Sequence, residues 1–257
     1  MKTKSVGFIG GGRITRIFLK GFANKKVLPG DVKVYEPDAG IFAKLQADFK
    51  MVSAADSASG AAKQDLVFLA VHPPVMMETL QAIKNAVTEN TIVISLAPKI
   101  SIGKMASVLV TKKLVRVIPN ATSFINKGYN PVSFADDFDK KEKKQVLKFL
   151  GKLGITFETE EAKLESYAIV SAMLPTCFWF QWQEIGNIAL EAGLSEKEAK
   201  KTVYSTMKKA LKIYYKSGLT PEQVMNLIPV KPIGENEPEI KNILNSKLLG
   251  LYSKIKP

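Results

Sequence analysis

Three consecutive glycines between a short apolar run and a helical pattern constrain this chain more than any other feature. Residues 6–9 read as a buried strand, Gly10, Gly11 and Gly12 as a tight turn, and 13–24 as a helix. That order lets bare backbone approach a pyrophosphate and aims a helix N-terminus at it. Gly10 makes the turn, and Gly12 leaves room for the phosphates because it has no Cβ. The third position of the Gly-x-Gly-x-x-Gly/Ala pattern is Thr15, so the match is incomplete.

The next acidic position belongs to the same unit. Residues 31–36 read as a second strand ending on Glu36. A carboxylate there accepts hydrogen bonds from the adenosine ribose hydroxyls and repels a 2′-phosphate. The competing reading is a surface carboxylate ahead of Pro37; the joint arrival of the glycines and Glu36 favours the first. Neighbouring lysines keep NADP open beside NAD.

Further β-like runs at 51–52, 66–71, 91–96 and 114–118 alternate with helical patterns at 39–49, 74–86, 102–109 and 140–150. Segments 131–134 and 155–158 follow as later strands. Such alternation is the signature of a parallel sheet with crossover helices. The runs 66–71 and 91–96 are apolar on both faces, as buried parallel strands are.

From about residue 161 the strand signals stop. Residues 164–192 read as one long apolar helix kinked near Pro175. Gly193 ends it, and Ser195 with Glu198 forms a capping box for the helix 195–217. Pro221 opens another helix, 229–238 is a loop, and 240–255 a last helix. The expected fold is α/β: a doubly wound sheet in 1–160, then an all-α domain in 161–257. A helix as apolar as 164–192 needs more cover than the residues after it supply. That implies a homodimer or higher homo-oligomer formed through the C-terminal helices.

Composition narrows the function classes. The chain is 46% apolar and carries a formal charge of +13, but only Arg13, Arg16 and Arg116 among its 37 basic residues are arginine. Base readout and bidentate phosphate contacts lean on arginine. The lysines are scattered and no aromatics interleave with them, so no specific nucleic-acid partner is expected. The charge instead favours anionic cofactors and small substrates. The single Cys177 fits a reducing compartment. The longest apolar run, 167–182, is interrupted by Pro175 and Gln181 and falls short of the roughly 20 residues of a membrane span. No signal peptide is read at the N-terminus, and a soluble cytoplasmic protein is expected.

Four motifs recur in a telling order: Gly7-Phe8-Ile9-Gly10-Gly11-Gly12-Arg13-Ile14-Thr15, Val67-Phe68-Leu69-Ala70-Val71-His72-Pro73, Ile100-Ser101-Ile102, and Arg116-Val117-Ile118-Pro119-Asn120-Ala121 with Gly128 beyond. Together they resemble the pyrroline-5-carboxylate reductase family over most of the chain. The resemblance implies an N-terminal Rossmann domain carrying NAD(P)H and a C-terminal domain that dimerises and completes the site. It also implies hydride delivery to the C=N carbon of a cyclic imino acid, giving proline. The expected cofactor contacts are Gly10, Gly11, Gly12, Arg13, Ile14, Glu36, Ala70, Val71, His72, Pro73 and Asn120.

The substrate motifs depart from that family. Ser171-Ala172-Met173-Leu174-Pro175-Thr176-Cys177 stands where it has Ser-Gly-Ser-Gly-Pro-Ala-Tyr, and 229–235 lacks its paired glycines and threonines. Fold and cofactor transfer by resemblance; proline synthesis does not. A related imine, ketone or cofactor reductase and a non-catalytic dinucleotide-binding homologue stay as alternatives.

Catalytic residues are unassigned, with His72, Asn120 and Ser171 as candidates. His72 either faces the cofactor or substrate or is a hydrogen-bonded loop histidine. Asn120 binds the nicotinamide amide or substrate, or shapes a turn. Arg13 contacts the pyrophosphate or is solvated. Cys177 reads as a buried hydrophobe. No Lys, Arg or His lies between Lys163 and Lys197, which argues against β-hydroxyacid dehydrogenases and their catalytic lysine. One His and one Cys offer no metal cluster.

Overall fold

The computed structural model describes residues 5–257. Its strands are β1 (Val6–Ile9), β2 (Val32–Tyr35), β3 (Val52–Ala54), β4 (Leu66–Leu69), β5 (Ile92–Ser95), β6 (Leu114–Val117), β7 (Gly128–Phe134) and β8 (Gly154–Glu158). They form one sheet in the order β3-β2-β1-β4-β5-β6-β7-β8. All pairings are parallel except β6 with β7. The order reverses between β1 and β4. In a doubly wound sheet the crevice at such a reversal, beyond the strands' carboxyl ends, is where ligands bind.

Helices α1 (Arg13–Asn24), α2 (Ala39–Asp48), α3 (Ala58–Ala62), α4 (Pro73–Ile83), α5 (Ile102–Ala106) and α6 (Lys140–Leu150) connect the strands. Alternation along β4 shows why both faces need cover. Leu66 and Phe68 join one buried cluster with Phe18, Phe22 and Phe149; Val67 and Leu69 join another with Met76, Leu80 and Met105. The Phe8 and Phe68 rings stack at 4.5 Å across the β1–β4 pair. The doubly wound α/β reading therefore holds.

Several local expectations give way. The strand read at 131–134 starts at Gly128 and runs antiparallel to β6. The helix read at 102–109 closes after Ala106, and Ala58–Ala62 is an unexpected short helix. Residues 164–192 are not one kinked helix. They break into α7 (Leu164–Tyr167), a π-turn at Ala168–Ala172 and α8 (Thr176–Glu191). Pro175 has no N–H and its ring crowds the preceding turn, so the helix restarts there instead of bending through it.

The chain divides into two compact units, one of residues up to Ala172 with Leu251–Pro257, the other Met173–Gly250. In the first unit a buried cation ties 161–172 to the sheet. Arg116 of β6 pairs with Glu161 at 2.9 Å and with Glu165. Glu161 also accepts from the Ile102 N–H at 2.7 Å, and Glu165 from the Lys99 N–H at 3.2 Å.

The second unit is helical. It holds α8, α9 (Glu196–Lys216), α10 (Pro221–Met225) and the first part of α11 (Glu237–Ile255). Ser195 and Glu198 form the expected capping box, and Thr220 with Gln223 forms another ahead of Pro221. The loop read at 229–238 is shorter, because α11 begins at Glu237. No helix among the described residues is long and apolar enough to cross a membrane.

Candidate functional site

The glycine turn sits at the carboxyl end of β1, on one side of the strand-order reversal. Gly10 adopts φ +99°, and a Cβ there would lie 2.5 Å from the Ala70 carbonyl oxygen. Only glycine accepts both conditions. Its N–H donates to the Tyr35 carbonyl at 2.8 Å, and its own carbonyl accepts the Thr15 hydroxyl at 2.5 Å. Thr15, the mismatch in the glycine pattern, thus clasps the turn from within the core. Nothing in the pattern signals that role.

Gly12 is the N-cap of α1 and supplies no side-chain cap. A Cβ built on it meets nothing within 4 Å. The first-turn N–H groups therefore have no side-chain cap, with the positive end of a 12-residue helix behind them. Arg13 is exposed at the first helical position, and Ile14 packs against the core.

Glu36 closes the other rim. One carboxylate oxygen accepts from the Gly11 N–H at 2.7 Å and the other from the Asp38 N–H at 3.0 Å. Both contacts pin the carboxylate beside the glycine turn. Asp38 then caps α2, accepting from the Ile41 N–H at 2.8 Å. An Asp three residues ahead of an apolar position is the sequence signal of such an N-cap.

Across the reversal, β4 is followed by Ala70, Val71 and His72, and Pro73 opens α4. The Ala70 N–H donates to the Ile9 carbonyl at 2.8 Å, which holds this segment against the glycine turn. His72 is exposed at the N-cap of α4 without a side-chain cap bond. The glycines, Glu36 and 70–73 thus gather around one corner of the sheet.

Asn120 and Ser171 meet elsewhere, beyond β6. The Asn120 amide donates to the Ser171 carbonyl at 3.2 Å and hydroxyl at 3.1 Å. Its oxygen accepts from the Thr122 N–H at 3.0 Å and hydroxyl at 2.6 Å. The Ser171 hydroxyl donates to the Tyr129 carbonyl at 3.2 Å. Both polar ends of the Asn120 side chain are hydrogen-bonded within its own fold.

The helical unit carries a cleft of about 760 Å³ between α8 and α9, lined by Trp182, Gly186, Leu190, Val203, Met207 and Leu211. Cys177, read as buried, is half-exposed on α8, because that helix buries no residue.

Residues 5–99 match the family described as "NADP oxidoreductase coenzyme F420-dependent". The chain is 25% identical to the pyrroline-5-carboxylate reductase of Escherichia coli (strain K12) over 228 residues, 88% of this chain and 84% of that protein. It is 23% identical to the Corynebacterium melassecola enzyme of the same name, covering 96% of this chain and 93% of that one. Among solved structures, Plasmodium falciparum pyrroline carboxylate reductase with NADP bound superposes with a TM-score of 0.81 at 21% identity, over 100% of this chain and 98% of that one. The resemblance read from the motifs therefore extends over nearly the whole chain.

Proposed function

We propose that this chain is an NAD(P)H-dependent oxidoreductase of the pyrroline-5-carboxylate reductase kind, reducing the C=N bond of a small cyclic imino acid. The observation that carries the reading is the corner at Gly10–Gly12: a forced turn, an uncapped helix N-terminus and open space, at the reversal of strand order. The residues present fit a dinucleotide. The first-turn N–H groups of α1 bind the diphosphate, Glu36 receives ribose hydroxyls, and the backbone of 70–73 lines the opposite rim. When bound, the reduced nicotinamide supplies a hydride.

The chain's own task is to bind and orient. A protonated imine is already electrophilic, so positioning outweighs proton donation. Asn120 and Ser171 act as positioning residues that lock the turn after β6 to the 168–172 segment.

A homodimer paired through the helical unit belongs to the same reading, because the α8–α9 cleft is apolar and that unit lacks a core of its own.

The test is turnover of pyrroline-5-carboxylate with NADH or NADPH, followed by loss of reduced-nicotinamide absorbance. Oxidation with either cofactor is expected, and none with both across pH rejects the imino-acid assignment. The altered 171–177 segment favours a second reading, an imine or ketone without the carboxylate. Turnover of such a compound alongside none of pyrroline-5-carboxylate selects it.

A further inference from the structure

We infer that the site is built for the dinucleotide without a 2′-phosphate, and that Glu36 and Asp38 together set this preference; the inference rests on the dinucleotide reading above. In a doubly wound sheet the adenosine ribose lies at the carboxyl end of β2, beside the loop into the next helix. Here that loop is Glu36-Pro37-Asp38. It brings two carboxylates and no cation: residues 35–43 contain no lysine or arginine.

Geometry makes the first carboxylate more than a nearby charge. The Gly11 and Asp38 N–H groups fix both its oxygens at 2.7 and 3.0 Å, so it cannot swing away from a phosphate. Each oxygen keeps a lone pair for a ribose hydroxyl donor. A phosphate at the same place offers no proton for it at neutral pH and meets a fixed like charge.

The second carboxylate removes the usual remedy. A 2′-phosphate is accommodated by an arginine or by free N–H groups at a helix start. Asp38 already occupies the start of α2, where its oxygen accepts from Ile41 N–H. Two cations on neighbouring elements are already engaged: Lys33 with Asp31 at 3.3 Å, Arg16 with Asp48 at 2.9 Å. Arg13 is exposed on the first turn of α1, beside the diphosphate cradle. The preference thereby sets this chain apart from the Plasmodium falciparum structure, which holds NADP.

Calorimetric titration of the full chain with NADH and NADPH tests this. NADH should bind at least about tenfold more tightly, since like-charge juxtaposition costs several kcal/mol. Glu36→Gln keeps an oxygen for the Gly11 N–H while removing the charge, and should close most of that gap. Asp38→Asn keeps the cap and should close part of it. Circular dichroism confirms that each variant is folded. Equal or tighter NADPH binding by the unaltered chain overturns the inference and leaves the dinucleotide reading standing. Binding of neither nucleotide overturns that reading, and the inference with it.

Discussion

The two compact units keep water out by different means. In the sheet unit, both faces of the central strands are covered, and Phe8, Phe18, Phe22 and Phe68 are all fully buried. Within Met173–Gly250, Ala199 is the one buried residue, while Phe180, Ile188 and Leu211 are 65%, 56% and 57% exposed. One unit completes its core from its own sequence. The other presents apolar helix faces that a single copy does not cover, and its low mutual burial leaves it little independent stability. The cofactor corner sits on the self-sufficient unit, so dinucleotide binding and self-association should be separable by mutation.

The largest expected effect breaks the first side of that contrast. Arg116→Met leaves Glu165 buried without its cation and should cost about 3–5 kcal/mol in denaturant unfolding. A neutral outcome would mean that the 161–172 segment is not held to the sheet by this ion cluster.

The second side is tested in the cleft. Leu211→Lys places a charge against Trp182 and Met207, and should weaken self-association by about 2 kcal/mol or more in sedimentation equilibrium. Dinucleotide affinity should not change. A monomeric unaltered chain would refute the partner-covered helical unit.

Smaller effects sharpen the description of the corner. Gly10→Ala forces a side chain into positive φ and against the Ala70 carbonyl, and should lower stability by about 1–3 kcal/mol. Gly12→Ala fills open space, so it should leave the melting temperature within error while weakening dinucleotide binding by about tenfold. If both variants lose stability alike, the corner is structural only.

The smallest effect lies at the start of β2. Asp31 is held below its ordinary value of 3.8, because the Ser53 hydroxyl donates to it and Lys33 adds a bond and attraction, against the opposing cost of burial. A depressed folded value contributes stability that is present above the ordinary value and lost as pH falls through the lowered one. Ser53→Ala should raise the Asp31 value toward 3.8, which an NMR titration of its carboxylate would show.

How much of this was legible in the sequence follows from how local each feature is. The doubly wound sheet was, because each buried strand is a short contiguous run such as Leu66–Leu69 and its helix follows at once. The direction of β7 was not, since Pro131–Phe134 has the same apolar pattern whichever way it runs. The break inside 164–192 was half legible: Pro175 marks it, but the π-turn at Ala168–Ala172 has no periodic signature. The glycine turn was visible as a site, whereas the Asn120–Ser171 contact joins residues 51 apart and leaves no local trace. Thr15 was hidden for a different reason, as it works through one side-chain bond to nearby backbone.

The central claim is that Gly12 and the first turn of α1, beside the Gly10–Gly11 turn, receive a dinucleotide. Amide chemical-shift mapping on isotope-labelled protein titrated with NADH tests it most directly. The account predicts saturable shifts concentrated at Gly11, Gly12, Arg13 and Ile14, with a second group at Val71 and His72. Saturable shifts confined to the helical unit, or none anywhere, would contradict it.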